Sequence, residues 1–161
     1  MGVIEVKKFL FSLKECLTLF DFQEIMNGTD FSEFDFSEYL TFDQDSYARN
    51  SIFKNEKFEL LLVGWMPGQK SEIHDHGASE CIMACLRGCL LENCYQKTQG
   101  KLIKLQTSKL LENNVAHINN DVGLHEIINI HNGISISLHL YSPEITDFQC
   151  YSAMITVSNT V

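Results

Sequence analysis

The sequence predicts a mainly β fold, a small barrel or sandwich with α-helices at its N-terminal end. Short apolar or alternating segments, separated by turn residues, follow one another between residues 58 and 141, as in small all-β domains. Before them, apolar residues recur at helical spacing over residues 3–20. With 161 residues and 45% hydrophobic content, the chain is long and apolar enough for one domain with a substantial core.

The N-terminal quarter of the chain is predicted to be helical. The apolar stripe over residues 3–20 predicts a first amphipathic helix, which the turn residues at 27–30 end. A second short helix is expected to run through residue 39, and the residues available to cap it are Thr29, Asp30 and Ser32. We expect residues 1–45 to form a helical cover on a barrel made of residues 46–161, the two parts forming a single domain.

The rest of the chain is predicted to consist of strands and turns. The predicted strands are residues 58–66, 82–86, 90–95, 101–106, 115–118, 124–130 and 134–141. The turns between them are predicted at Arg87-Gly88, Thr98-Gln99-Gly100, Asn119-Asn120-Asp121 and Asn132-Gly133. We expect hairpins at Arg87-Gly88 and at Asn132-Gly133, and the second of these is the stronger two-residue signal.

The last predicted strand has one polar and one apolar face. Polar residues alternate with apolar ones along it, and the polar set is Ser135, Ser137, His139 and Tyr141. Such alternation ordinarily means that the polar face is in water. In a barrel with a wet metal pocket the same face would point inward. The pattern alone leaves both orientations open.

A His-x-His pair at His74 and His76 predicts a metal site. On a strand the two side chains would point to the same face, and a third imidazole nearby would complete a site for iron, copper, nickel or zinc. The residues available as the third ligand are His117, His125, His131 and His139. A lone strand histidine is more often structural than a ligand.

The surroundings of this pair resemble the first motif of the cupins. Gly68, five residues, His74, one residue and His76 follow the cupin spacing, and six residues separate Cys81 from Gly88. Most cupins carry a metal-binding Glu where this chain has Cys81. Together with YARN, HDHGASEC, GLH and SLHLYSP, in that order over roughly residues 45–145, this makes the chain similar to the cysteine dioxygenases, thiol dioxygenases of the cupin fold.

The resemblance implies that His74, His76 and His125 hold iron(II). Three neutral imidazoles leave the double charge of the ion uncancelled, which favours binding of an anionic thiolate. Glu80 remains an alternative ligand if the strand register slips by one, because only one of Glu80 and Cys81 can face inward. The spacing to Gly88 favours Cys81 as the inward residue.

The resemblance also implies the substrates. The planar guanidinium of Arg49 matches a carboxylate, and Tyr47 lies two residues before it. Trp65 and Met83 are expected to line the pocket. The implied reaction adds both atoms of O2 to the thiol of L-cysteine and gives cysteine sulfinic acid. Relatives that prefer 3-mercaptopropionate usually carry Gln at the position of Arg49.

Two other functions stay open, a dioxygenase of another small thiol such as 3-mercaptopropionate and a non-enzymatic metal-binding cupin. For the cysteine dioxygenase, the resemblance places Ser137, His139 and Tyr141 inside as a hydrogen-bonded relay. It also allows a thioether between Cys81 and Tyr141. At Ser142-Pro143 we expect a cis peptide bond.

Charge and cysteine usage exclude several classes of function. The net charge is −9, and residues 21–45 contain no Lys or Arg. This argues against nucleic acid or an anionic membrane surface as a partner. The six cysteines follow no secretion signal and lack paired CxxC spacing, so we expect reduced thiols, a cytoplasmic location and no second structural metal. We expect a monomer.

Overall fold

The computed structural model of the chain describes residues 2–118 and 123–151, with side chains from residue 5 onward. The turn predicted at Asn119-Asn120-Asp121 lies outside the described residues. Within them, the helical elements are α1 (Gly2–Glu15), α2 (Leu19–Gly28) and a 3₁₀ turn (Phe31–Glu33). The strands are β1 (Ala48–Lys54), β2 (Glu59–Trp65), β3 (Ile73–His74), β4 (Glu80–Arg87), β5 (Cys89–Thr98), β6 (Lys101–Leu111), β7 (Val115–Ile118), β8 (Leu124–Asn129), β9 (Ser135–Ser142) and β10 (Cys150–Tyr151).

The prediction of one helix over residues 3–20 is wrong, because α1 ends at Glu15 and a second helix begins at Leu19. Thr18 starts α2 with a capping box. Its hydroxyl accepts a hydrogen bond from the backbone N–H of Asp21 at 3.2 Å, and the Asp21 carboxylate accepts one from the backbone N–H of Thr18 at 2.8 Å. Both helices pack against the same core, so one apolar stripe covers both.

The helix expected to run through residue 39 is a single 3₁₀ turn at Phe31–Glu33. Asp30, one of the three predicted caps, starts this turn by accepting a hydrogen bond from the backbone N–H of Ser32 at 3.0 Å. The chain then continues without regular structure to β1, a strand that the sequence analysis missed. The polar residues of β1 give it no clear alternation, which is why the pattern failed to indicate it.

The strands form two antiparallel five-stranded sheets. The first sheet has the order β1-β2-β9-β4-β7, and the second has the order β10-β3-β8-β5-β6. Side chains from both sheets share one interior core, to which the first sheet contributes Leu61, Val63, Trp65 and Met83, and the second Leu90, Leu110 and Ile127. The prediction of a mainly β fold with N-terminal helices is therefore confirmed.

Both predicted hairpins are wrong. The turn at Arg87-Gly88 joins β4 in the first sheet to β5 in the second, and Asn132-Gly133 joins β8 in the second sheet to β9 in the first. Both turns carry the chain across the interior core. The turn at Gln99-Gly100 does join paired neighbours, β5 and β6, and both residues have positive φ, as a two-residue hairpin of this type requires.

The first sheet is buried on both of its faces. Leu138 and Leu140 of β9 pack with the helices in an apolar core that also contains Leu62, while Ser137, His139 and Tyr141 point into the space between the sheets. All of these side chains are buried. The helices therefore provide the apolar partner that allows the other face of the sheet to be polar inside the protein.

Two further findings complete the fold. The peptide bond at Ser142-Pro143 is cis, as predicted. Among the described residues, no helix combines the length and apolar character that crossing a bilayer would require. The division of the single domain at residues 45 and 46 stays a prediction, although the first strand begins close to it, at Ala48.

The helix-facing core should dominate stability. Leu62 is fully buried in it, so Leu62→Ala should lower the free energy of unfolding by about 2–5 kcal/mol. Leu105→Ala provides a matched control, because Leu105 is also a strand leucine but is 57% exposed, and its change should stay within about 0.5 kcal/mol. Urea denaturation of both variants gives the comparison. Equal losses would contradict the assignment of the core.

Candidate metal centre

Three histidines converge between the sheets. His74 in β3 is the Cα partner of His125 in β8, and His76 follows two residues later, beyond the end of β3. The potential ligand atoms of the three rings all lie within 4.8 Å of one another. In the part of the chain that the structure describes, this is the one such group of three or more His, Cys, Asp or Glu side chains. Sequence spacing suggested the pair, but the turn after His74, not a continuous strand, brings His76 to the others.

Hydrogen bonds fix which nitrogen His74 and His125 present to the site. The Nδ1 of His74 lies 2.8 Å from the backbone carbonyl of Glu72, which can only accept, so this nitrogen carries the hydrogen. The Nδ1 of His125 lies 2.8 Å from the Oε1 of Glu92. The two Nε2 atoms then face each other at 3.2 Å with their lone pairs. A cation between them removes this repulsion, so the donor set fits a metal ion.

Burial keeps all three rings neutral. Burial, together with the smaller effects of the neighbouring His125 and His74, lowers the pKa of His76 to about 2. Burial and His74 likewise hold the pKa of His125 well below its usual range, and burial lowers that of His74. Neutral imidazole is the form that binds a metal, so the ligands need not lose protons for an ion to enter at neutral pH.

The inner face of β9 carries a chain of hydrogen bonds. Trp65 Nε1, which can only donate, lies 2.9 Å from the Ser137 hydroxyl, so that hydroxyl donates its own hydrogen to His139 Nε2 at 2.8 Å. His139 Nδ1 therefore carries a hydrogen toward the Tyr141 oxygen at 3.4 Å. The Tyr141 O–H is then left to donate to an acceptor other than His139, and it hydrogen-bonds with Cys81. Burial raises the pKa of Tyr141 well above its usual value, so the hydroxyl remains a donor.

Cys81 faces Tyr141 across the first sheet. The two residues are Cα partners in β4 and β9, and the Cys81 Sγ lies 4.0 Å from His139 Nδ1. Burial raises the pKa of the Cys81 thiol to about 12, although a hydrogen bond with Tyr141 opposes this shift. Cys81 is thus a buried neutral thiol beside a phenol ring.

The other proposed ligands lie elsewhere. Glu80 is on the opposite face of β4, where its carboxylate lies 2.7 Å from His117 Nε2. His131 is exposed next to the Asn132-Gly133 turn. His139 hydrogen-bonds with Ser137 and Tyr141 through its two ring nitrogens and is not part of the histidine cluster.

A small cavity of about 50 Å³ opens beside the histidines. Since one ordered water requires roughly 10–15 Å³, the cavity admits a ligand of a few heavy atoms. Its walls include Tyr47, Arg49, Val63, Trp65, Ser71, Glu72, His74, His125, Ile127, His139, Tyr141, Ile145, Phe148 and Cys150. The cavity therefore brings two of the clustered histidines, His74 and His125, together with a phenol hydroxyl and one guanidinium around one small volume.

The predicted substrate-binding residues differ in position. Tyr47 stacks on Trp65 with ring centroids 4.7 Å apart, and both line the cavity. Arg49 lies at the mouth, largely exposed, with its guanidinium carbon 5.8 Å from the centre of the Phe148 ring. Met83 is fully buried in the interior core and does not line the cavity.

Sequence reasoning missed several residues of the site. Glu92 was overlooked, although a charged residue inside an apolar strand is a signal of a buried partner. Phe148 and Cys150 were missed because they belong to a segment with no periodic pattern. This segment, residues 144–151, follows β9 and covers the cavity; we call it the roof segment.

Asp75, between the two histidines of the motif, anchors the roof segment. Its Oδ1 accepts hydrogen bonds from the backbone N–H groups of Gln149 at 2.9 Å and Gly77 at 3.2 Å, and its Oδ2 accepts one from the Tyr151 hydroxyl at 2.9 Å. Burial raises the pKa of Asp75, but these hydrogen bonds outweigh it and the pKa is lowered. One carboxylate thus connects the metal-binding turn to the cover of the cavity.

The chain is similar to known thiol dioxygenases. The family model described as cysteine dioxygenase type I matches residues 11–154. Cysteine dioxygenase type 1 of Bos taurus is 36% identical over 146 residues, covering 88% of this chain and 72% of the relative. The Homo sapiens protein of the same name is 38% identical over 126 residues, covering 75% of this chain and 63% of the relative. The match thus spans less than two thirds of the human protein.

Solved structures show the same fold at low sequence identity. An uncharacterised protein from Klebsiella pneumoniae with a double-stranded β-helix domain matches with a TM-score of 0.57 at 17% identity, covering 74% of this chain and 96% of that one. The Schizosaccharomyces pombe Cnp3 cupin domain matches with a TM-score of 0.53 at 15% identity, covering 66% of this chain and 70% of that one. These likenesses confirm the predicted cupin-type fold.

The role of Asp75 in holding the roof segment can be tested by hydrogen exchange. Asp75→Ala removes three hydrogen bonds to a charged group, so amide exchange across residues 144–151 should accelerate about 10-fold or more. Asp45→Ala, which removes an exposed carboxylate, should leave this exchange unchanged. Mass spectrometry of peptides from the segment measures both. Unchanged exchange in Asp75→Ala would show that the segment is held by other contacts.

Proposed function

The chain belongs to the cysteine dioxygenase type I family, and from this premise we propose that it adds both atoms of O2 to the thiol of L-cysteine and releases cysteine sulfinic acid. The thiol and O2 combine as RSH + O2 → RSO2H, so no further reductant is needed. The observation that carries the proposal is the cluster of three neutral imidazoles, two of which, His74 and His125, line one small cavity together with Tyr141 and Arg49. The packing of these groups fits a substrate of cysteine's size.

We assign the metal as iron(II), held by His74, His76 and His125. When bound, iron(II) supplies the redox centre on which a thiolate and O2 react. All three ligands are neutral, so none of them cancels the double charge that the ion presents to an anionic substrate. Nitrogen donors bind zinc, copper and nickel as well as iron, so the ligands alone do not select the metal. We select iron because the proposed reaction with O2 requires a redox-active ion.

Two side chains orient the substrate. Arg49 at the mouth offers a planar pair of donors to the carboxylate of L-cysteine, while the thiol reaches toward the histidines. Holding the substrate at both ends supplies the proximity that the reaction needs. Tyr47 and Trp65, stacked on each other, form the wall between these two ends.

Tyr141 controls a proton in the proposed reaction. Its oxygen accepts a hydrogen bond from His139, which Ser137 orients, and its own hydrogen, which is shared with Cys81 in this structure, turns to the substrate or to O2 in the proposed reaction. Since burial keeps the phenol protonated, it acts as a hydrogen-bond donor and a proton source, with no role as a base.

Cys81 and Tyr141 are proposed to form a thioether. The thiol and one ring C–H lose their hydrogens as the C–S bond forms, and O2 accepts the two electrons and two protons as hydrogen peroxide. Support comes from the cross-strand pairing of the two residues. The bond would lock the Tyr141 ring and fix the direction of its hydroxyl.

The cellular location, the oligomeric state and the absence of nucleic-acid and membrane binding are also proposals. All six cysteines lack disulfide partners, which supports a reducing compartment and hence the cytoplasm. A monomer that binds neither nucleic acid nor membranes is the remaining expectation, and gel filtration tests the monomer directly.

Oxygen consumption with a panel of thiols tests the function. The protein loaded with iron(II) should consume O2 with L-cysteine and yield sulfinate. Arg49→Gln should lower kcat/KM for L-cysteine by roughly 10–150-fold, since one hydrogen-bonded charge contributes about 1.5–3 kcal/mol. The variant should change kcat/KM for cysteamine, which lacks the carboxylate, by less than about 3-fold on the same reasoning.

Arg87→Gln is the matched control, because Arg87 is exposed at the end of β4 and does not line the cavity. It should leave all rates unchanged. Little loss on L-cysteine in Arg49→Gln, with 3-mercaptopropionate preferred, would assign another thiol as substrate. No O2 consumption with any thiol would leave a non-enzymatic metal-binding cupin.

The thioether is tested by intact mass. After turnover, part of the protein should be about 2 Da lighter than its sequence mass, and Cys81→Ser should abolish this species. Cys85→Ser is the matched control, because Cys85 is a second buried cysteine on the inner face of β4, and the lighter species should persist in it. A mass equal to the sequence mass in every variant would exclude the cross-link.

A further inference from the structure

We propose that Glu92 is a positioning residue of the metal centre, whose buried carboxylate holds His125 in its metal-binding tautomer and places one negative charge beside three neutral ligands. The inference rests on the metal-binding part of the proposed function and adds a residue to it. Glu92 lies on β5, in the second sheet, and its side chain points into the interior next to His125.

The contact between Glu92 and His125 is short and shielded from water. The distance from Glu92 Oε1 to His125 Nδ1 is 2.8 Å, and the two side chains are 8% and 2% exposed. Glu92 is the Cα partner of Ile127, so its carboxylate reaches His125 diagonally across the strand pair. Both groups are therefore held by neighbouring strands of one sheet, not by a loop.

The surroundings of Glu92 set it apart from the other buried carboxylate of the second sheet. Its carboxylate makes its hydrogen-bond contact with His125, a ligand of the proposed metal site. Glu126 provides the contrast. It is also buried, but on the opposite face of the second sheet, where it accepts hydrogen bonds from Tyr95 at 2.6 Å and Asn93 at 2.9 Å. Glu126 is part of a satisfied polar network, whereas Glu92 points at a metal ligand.

The hydrogen bond decides which nitrogen of His125 can bind a metal. A ring that binds an ion through Nε2 must carry its hydrogen on Nδ1, and this hydrogen needs an acceptor. An ionised carboxylate can only accept, so it selects this tautomer. A glutamine amide at the same place has a donor as well, and it can stabilise the opposite tautomer by donating to Nδ1. Glu92→Gln should therefore weaken metal binding.

The charge of Glu92 has a second, opposite effect on the substrate. Many iron oxygenases place a carboxylate directly on the metal; this chain places it one hydrogen bond further out. In Glu92→Gln the positive charge at the ion is no longer moderated, so an anionic thiolate should bind the loaded protein more tightly. A purely structural disturbance would weaken the metal and the thiolate together. The change in thiolate affinity therefore distinguishes a positioning role of Glu92, which predicts tighter binding in Glu92→Gln, from a purely structural role, which predicts weaker binding.

Cobalt(II) binding tests the first effect without any turnover. Titration of the metal-free protein, followed by visible absorption, should give a Kd about 10–100-fold higher for Glu92→Gln than for the unaltered protein. Glu126→Gln is the matched control, since it removes a buried carboxylate one residue from His125 on the other face, and its Kd should stay within about 3-fold.

The affinity of the cobalt-loaded protein for L-cysteine tests the second effect. Under anaerobic conditions and saturating cobalt, the thiolate-to-cobalt absorption band should give roughly 3–10-fold tighter binding in Glu92→Gln. An unchanged cobalt Kd would overturn the proposal, and so would cobalt and cysteine affinities that fall together. Should Glu92→Gln fail to fold, Glu92→Asp replaces it in the test. This variant keeps the charge but shortens the side chain, so we expect a higher cobalt Kd and an unchanged affinity for L-cysteine.

The inference and the proposed function fail separately. A protein that binds cobalt in a Glu92-dependent way but consumes no O2 with any thiol would end the dioxygenase proposal and leave this inference intact. Dioxygenase activity together with a cobalt Kd that Glu92→Gln leaves unchanged would end this inference and leave the dioxygenase proposal intact.

Discussion

Three imidazole rings whose donor atoms lie within 4.8 Å of one another, two of them buried and one half-buried, resist positive charge, and the rest of the site follows from that constraint. Each proton added to the group would be opposed by burial and by its neighbours. Neutral rings need an acceptor for one nitrogen and an electrophile for the other. The carbonyl of Glu72 and the carboxylate of Glu92 meet the first need, and a metal ion meets the second.

A polar interior of this kind requires an apolar partner elsewhere. In the first sheet, β9 directs Ser137, His139 and Tyr141 inward, so its stability must come from the other face. There the leucines of β9 pack against α1 and α2, in a core separate from the site. The helices are thus what permits a hydrogen-bonded relay inside a small barrel. Without them, the apolar face of β9 would be exposed and the inward orientation of its polar face would lose its energetic support.

Local pattern predicted most of what depends on one segment of chain. The strand at 115–118, the alternation of β9 and the His-x-His pair could all be read from neighbouring residues. What failed depends on distant partners: Asn132-Gly133 marks a tight turn but carries no information about which sheet receives the next strand. Glu92 could not be recognised as part of the site because its hydrogen-bond partner, His125, lies 33 positions further along the chain. The end of α1 was missed because the apolar spacing continues from α1 into α2, although the cap at Thr18 starts a new helix.

The exposure of Arg49 changes how substrate choice must be understood. An exposed ion pair contributes little, because water screens both charges and the long side chain loses freedom. The guanidinium lies against the Phe148 ring, which the roof segment carries and Asp75 helps to hold. In the proposed function, a substrate that fills the small cavity would exclude water from the space between the histidines and the mouth, and so would strengthen the contact between its own carboxylate and Arg49. Under that proposal, selection for a carboxylate is a property of the filled, covered cavity, and a thiol too short to reach both ends would not be selected even though Arg49 is present.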